Sequence, residues 1–224
     1  MAAAGTAFKV KIHECKLIVR KVKLTPSVYL AHAKALEVGN AKYPINRAVC
    51  KSYTIPTGLL NHSQENLFTG QMPTRLIVAL VDNTAYNGAY AENPFNFKHF
   101  SLSQMKIYID GQQQHIRPIE TNYERGQFLN AYLTLFSGSG KLFRDEGLDI
   151  DRSDYPHGYA IYAFDLTPDE SEDGHFNLVR EGSLRLDLKF AVALPNTINV
   201  LVYSESENVL QIDRNKNIIF DYTN

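Results

Sequence analysis

Along most of this chain apolar and polar residues alternate one by one, the period that sends successive side chains to opposite faces of a strand. The clearest case is SLRLDLKFAVAL, where Leu184, Leu186, Leu188, Phe190, Val192 and Leu194 point one way and Arg185, Asp187 and Lys189 the other. MKIYID repeats the pattern through Met105, Ile107 and Ile109, and Asp110-Gly111 then supplies a turn. RLIVALVD and INVLVY are apolar throughout, as expected of strands covered on both sides. Near the C-terminus VLQID and NIIFDY flank Arg214-Asn215-Lys216-Asn217 and read as a hairpin. The N-terminal FKVKIHECKLIVRKVKL reads as a long strand-like segment whose phase slips. Val10 and Ile12 share one register, Cys15, Leu17 and Val19 the other, and Val22 and Leu24 return to the first. Bulges, or a bend into a second strand, produce such slips.

Two segments follow the helical period instead. Thr25 is a plausible N-cap before Pro26, and Gly39 closes PSVYLAHAKALEV. The second runs from about Tyr123 to Phe136, with Phe128, Leu129, Tyr132, Leu133 and Phe136 as its apolar stripe and Ser137-Gly138 as its stop. Neither an internal repeat nor a linker interrupts the chain. Eight to ten strands, two short inserted helices and long loops predict an all-β fold, a jelly-roll β-sandwich forming one domain over residues 1–224.

Composition adds little to that and charge adds more. At 44% hydrophobic and 21% charged residues, the chain has the make-up of a folded globular protein. No apolar run approaches the roughly 20 residues that span a bilayer, and the N-terminus lacks a secretory pattern. Cys15 and Cys50 lack ligand spacing and read as free thiols, Cys50 as a small buried hydrophobe within a strand. The net charge of −1 hides an asymmetry: residues 1–51 carry +8 and the remainder −9. Lys9, Lys11, Lys16, Arg20, Lys21 and Lys23 are therefore a candidate DNA-facing segment, with the solvent face of a Lys-rich strand as the plainer reading.

Candidate chemistry mostly dissolves on inspection. SGSGK has the look of a phosphate cradle, yet Leu135 stands where the first P-loop Gly belongs and Leu142 where a hydroxyl residue belongs. It also follows a helix, whereas phosphates bind where one begins. DESEDG offers Asp169, Ser171 and Asp173 with Gly174 at a calcium-loop spacing, but Arg180 occupies the position of the bidentate acid. Asp149, Asp151 and Ser153 have similar spacing without the glycine. His13, His32, His62, His99, His115, His157 and His175 form no ligand-spaced pair, and no nucleophile elbow is present. The expectation is a protein without enzymatic activity, cofactor or metal. YNGAYAENPFNFKHF gathers Tyr86, Tyr90, Phe95, Phe97 and Phe100 into one loop. Such a loop can stack sugars or bases. It can equally be pinned by its own aromatics against the sandwich or a neighbouring subunit.

Several stretches in order carry a family resemblance: YPINRAVCKSYTIPTG, then NLFTGQMPTRLIVALVDNTAYNGAYAENPFNFKHFSL, then YPHGYAIYAFDLTPD and GSLRLDLKFAVALPNTINVLVYSE. The series, over residues 8–222, resembles the C-terminal jelly roll of the double-jelly-roll major capsid proteins of Polinton/Maverick elements and their adintovirus relatives. The resemblance implies a structural protein of the virion. In that family two jelly rolls stand side by side in each subunit, and three subunits make a pseudo-hexagonal capsomer that tiles an icosahedral shell. It implies self-association as the partner relationship, packaged DNA as a candidate contact, and no small-molecule substrate. Asn93, Pro94, Phe95 and Phe97 would then form an inter-subunit loop. With 224 residues the chain has room for one jelly roll, and the expectation is that the first is absent. Rival readings are a jelly-roll lectin using NPFNFKHF, a cupin-like enzyme, and a domesticated transposon-derived protein that no longer assembles; away from a virion, nucleus and cytoplasm are not distinguished.

Overall fold

The computed structural model describes residues 11–113, 118–142, 144–145, 147–167 and 177–221. In chain order these form α1 (Pro26–Val38), β1 (Ala41–Ile55), β2 (Asn61–Gln71), β3 (Arg75–Asp82), α2 (Asn83–Tyr86) and β4 (Leu102–Ile109). There follow β5 (Gln112–Gln113), β6 (Ile119–Glu120), α3 (Leu129–Gly138), β7 (Ile161–Asp165), β8 (Glu181–Phe190), β9 (Ile198–Ile212) and β10 (Ile218–Phe220). The chain falls into two compact units, Met1–Ala41 with Ile212–Asn217, and Lys42–Gln211 with Ile218–Asn224.

The larger unit is a sandwich of two five-stranded sheets. One has the order β1-β9-β3-β7 with β10 beside β9, the other β2-β8-β4-β5 with β6 beside β4. The pairing is nested: β1 lies beside β9, β2 beside β8, β3 beside β7 and β4 beside β5. That is one long antiparallel hairpin rolled so that successive pairs fall in alternate sheets, the jelly-roll arrangement.

Register explains why the alternating stretches form these strands. Leu76 opposes Phe164 and Val78 opposes Tyr162 across β3 and β7, and all four are buried. Met105, Ile107 and Ile109 oppose Leu188, Leu186 and Leu184 across β4 and β8, burying the second inner face. The Asp110-Gly111 turn forms as expected, both residues with positive φ (53° and 75°), as tight hairpins require. The doubly apolar β3 is covered on its outer side too: α3 packs on β7, and Ala79 and Ala163 are buried there. β9 is longer than INVLVY, and its buried row turns polar at Ser204, Ser206 and Asn208. Those groups find partners: Ser204 Oγ donates to Val49 O (3.2 Å), and Asn208 Nδ2 to Gln71 Oε1 (2.7 Å). A buried polar side chain so partnered costs little.

Several expectations are corrected. Residues 11–24 form no strand; their slipping phase offers no continuous apolar face, and Leu17 and Ile18 are 90% and 93% exposed. α1 matches its predicted bounds, Thr25 through Gly39, but none of its side chains is buried. α3 begins at Leu129, not near Tyr123, because Asn122 and Gln127 bridge to one another in a tight turn. Its buried stripe is Ala131, Leu135 and Gly138, while Leu129 and Leu133 are exposed. β8 stops at Phe190; Val192 is exposed, and Leu194 returns to the core by a turn held by Gly58 N donating to Leu194 O (2.8 Å). Cys50 lies on the outward row of β1 and is exposed, not buried. The short α2 was not foreseen, although Asp82, which accepts from Thr84 N (3.2 Å), is an ordinary cap for it.

Candidate assembly surfaces

The aromatic loop after β3 is built from local polar chemistry. Asp82 closes β3 with one carboxylate oxygen on Thr84 and the other accepting from Asn196 Nδ2 (3.2 Å). Burial raises its pKa, but the hydrogen bonds from Thr84 and Asn196 and the nearby Lys98 charge outweigh that and hold it below the usual value. Tyr86 reaches back to Ser52, hydroxyl to hydroxyl at 2.9 Å. Asn93 Oδ1 then accepts from Phe95 N (3.0 Å), a turn that throws the Phe95 ring outward. Asn93, Pro94 and Phe95 are all exposed, Phe95 to 73%. Phe97 is half-buried and ties the loop down: its N–H donates to Gly158 O (2.8 Å), and its carbonyl accepts from Ala160 N (3.0 Å). Gly158 has φ +110°, and a side chain there would meet Asn96 Oδ1 at 2.6 Å, so only glycine fits the joint. The four predicted loop residues therefore divide into an exposed tip and one anchor.

Behind the joint stands an aromatic cluster that spacing could not announce. His99 stacks on Tyr123 with ring centroids 3.9 Å apart, Tyr123 on Phe128 and Phe128 on Tyr155. The Tyr123 and Tyr162 hydroxyls meet at 2.7 Å, and Tyr155 Oη donates to Ile161 O (2.9 Å). Burial pushes Tyr123 up to about 12 and raises Tyr155 and Tyr162 well above the ordinary tyrosine value. These phenols stay protonated at neutral pH, so the cluster offers packing and hydrogen bonds rather than a base. Its members come from four separate segments, each reading locally as ordinary core.

The SGSGK loop is occupied with ending α3. Gly140, at φ +71°, is the left-handed residue of a Schellman cap: Lys141 N donates to Phe136 O (2.8 Å) and Gly140 N to Ser137 O (3.2 Å). Ser139 N donates to Leu135 O (3.2 Å) and Leu142 N to Phe136 O (3.1 Å). With those N–H groups turned onto helix carbonyls, none of them remains to cradle a phosphate. α3 ends at Gly138 as expected, but the glycine that caps it is Gly140, and Gly138 serves packing.

The basic segment is not gathered into one strand face. Lys11, Lys16, Arg20, Lys21 and Lys23 are exposed along an irregular stretch, with Lys16 Nζ 2.6 Å from Glu14; Lys9 lies outside the described residues. Among the described residues no group of three or more His, Cys, Asp or Glu is placed to hold a metal. The DESEDG stretch, His115 and His175 lie outside them. Among the described residues no helix is long and apolar enough to cross a membrane. A shallow groove on the β2-β8-β4 sheet is lined by Ser63, Gln104, Lys106, Asp187 and Lys189 and takes nothing from the 93–100 loop.

No family model matches the chain. A curated relative, the uncharacterized protein F54H12.2 of Caenorhabditis elegans, is 30% identical over 221 residues, covering 96% of this chain and 52% of the relative. The chain therefore spans about half the length of that relative. Among solved structures, it is similar to PBCV-1 VP54 as fitted into a reconstruction of the virophage Sputnik, at TM-score 0.47 and 12% identity over 83% of this chain and 52% of that one. It is also similar to the mavirus major capsid protein, at TM-score 0.40 and 15% identity over 84% of this chain and 43% of that one. The jelly-roll fold of this chain rests on its own nested strand pairing.

Proposed function

We propose that this chain is a capsid-type structural protein that works by self-association, with the Asn93–Phe95 loop tip as a subunit contact. The observation that carries the reading is an aromatic ring, Phe95, held out from a loop whose base is locked by Phe97 and Gly158. Exposed aromatics on an ordered scaffold are typical anchors of protein interfaces. In finer terms, the chain is the second jelly-roll half of a Polinton/Maverick-type, adintovirus-like double-jelly-roll major capsid protein. It acts in a homotrimeric capsomer of a virion. The ordered motifs YPINRAVCKSYTIPTG, LFTGQMP, NPFNF and GYAIYAFDLTPD support that assignment. The basic residues Lys9, Lys11, Lys16, Arg20, Lys21 and Lys23 face packaged DNA in this reading.

Light scattering across a concentration series tests it. The expected result is trimer-sized or larger species, with Phe95→Asp weakening association at least about tenfold, as for an interface anchor, and leaving thermal unfolding unchanged. A chain that stays monomeric at every concentration overturns the self-association reading, and glycan-array binding through the same loop would replace it with the lectin one.

A further inference from the structure

The base of the aromatic loop is closed by a titratable group in a strained joint. Phe100 and Ser101 both have positive φ, 45° and 52°. Two such residues in succession persist only where contacts hold them. Leu102 N donates to His99 O (2.9 Å), Ala191 N donates to Ser101 O (2.8 Å), and Ser101 N donates to His99 Nδ1 (2.9 Å). The last bond requires a lone pair on Nδ1, so the His99 ring is neutral with its proton on Nε2. Its flat contact with Tyr123 fixes the ring plane. The groups acting on His99 are Tyr123, from the turn after β6, and His157, from the segment leading to β7. His157 adjoins Gly158, whose carbonyl receives the Phe97 N–H. The neighbouring Lys98 acts on Asp82 instead.

We propose that His99 is an acid-sensitive latch on the 93–101 loop, closed while its ring is neutral and opened when Nδ1 takes a proton. A proton from solvent on Nδ1 turns the acceptor into a donor aimed at the Ser101 N–H, so the bond that closes the joint is lost. Burial, and next the His157 charge, lower the His99 pKa from its usual 6.5. A depressed folded value means the latch contributes its full stabilisation above the ordinary histidine value and loses it as pH falls through the folded one. As a regulator of the Phe95 contact, the latch rests on the assembly reading, and subunit contacts made through this loop would loosen in mildly acidic surroundings.

The latch itself can be tested on the dilute 224-residue chain, whatever its association. Proteolytic cleavage within 86–101 is expected to accelerate at least about tenfold from about pH 7.5 to about pH 5, with the far-ultraviolet spectrum unchanged. His99→Asn keeps an acceptor near the Nδ1 position and does not titrate, so its loop stays protected at both pH values. His157→Gln removes the opposing charge, so the opening should move to milder acidity without being abolished. Equal protection of the natural chain at both pH values, or acid opening undiminished in H99N, overturns the proposal. Should H99N be open throughout, the natural chain decides by NMR: a His99 titration that moves the Ser101 amide supports the latch, and one that leaves it still overturns it. Scattering at about pH 7.5 reports separately on self-association.

Discussion

Gly138 shows how much one missing methyl group can decide. A Cβ at this position would lie 2.6 Å from Ala163 Cβ and 2.9 Å from its backbone carbon, so α3 can approach β7 only because the residue is glycine. Gly138→Val should cost roughly 1–3 kcal/mol, the usual range for overpacking a rigid contact, as measured by urea unfolding. In the sequence this glycine reads as a helix stop, since glycines past an apolar stripe most often are. The cap is its neighbour Gly140, two residues on, and nothing in the letters distinguishes a glycine needed for its backbone from one needed for its size. His62 carries a similar lesson. On the edge strand β2 it opposes the buried Leu188, and burial lowers its pKa despite a hydrogen bond with Gln64. Alternation gives the face it points to, but only the packed sandwich tells how dry that face is.

At the scale of elements, legibility followed hydrogen-bond partnership. The strands β3, β4, β8 and β9 and the turn at Asp110-Gly111 were legible because each alternating or wholly apolar stretch meets another in register. Residues 11–24 carry the same local signal and form no strand, because a strand needs a ladder as well as a pattern. The second helix was found but misplaced at its start, since the Asn122–Gln127 bridge competes locally with helix formation. Its end makes a clean test of the loop that first suggested phosphate chemistry. Gly140→Ala should destabilise the protein by about 1 kcal/mol, the cost of left-handed backbone for an L-residue. Lys141→Ala should leave both folding and association intact, as seen by thermal unfolding and light scattering, whereas a phosphate-binding loop would lose a ligand-induced shift.

Across the whole molecule the charge division is the feature most open to measurement. Residues 1–51 carry +8 and the rest −9, and the described lysines and arginine before α1 are exposed. Were this segment to face nucleic acid, converting Lys11, Lys16, Arg20, Lys21 and Lys23 to Gln would weaken DNA retention. The same change would flatten its salt dependence by roughly 0.7–0.9 for each phosphate no longer neutralised. Filter-binding across a salt series reads both, and retention unchanged by the substitutions removes DNA from the picture. The jelly roll was legible at this scale from strand number and the scarcity of helices. The aromatic cluster was not, since Tyr123, Tyr155 and Tyr162 meet only after the roll has closed.

The nesting of the strand pairs also sets an order for getting there. The Gln104–Glu120 contact spans 16 residues, Ser63–Asp187 spans 124 and Arg47–Asn208 spans 161. Loop closure grows costlier with span, yet each inner pair, once made, shortens the free chain that the next must close. The roll is therefore expected to zip outward from β4 and β5 toward β1 and β9. Its outermost teeth, last to engage and first to part, belong to the sheet edge that β1 forms.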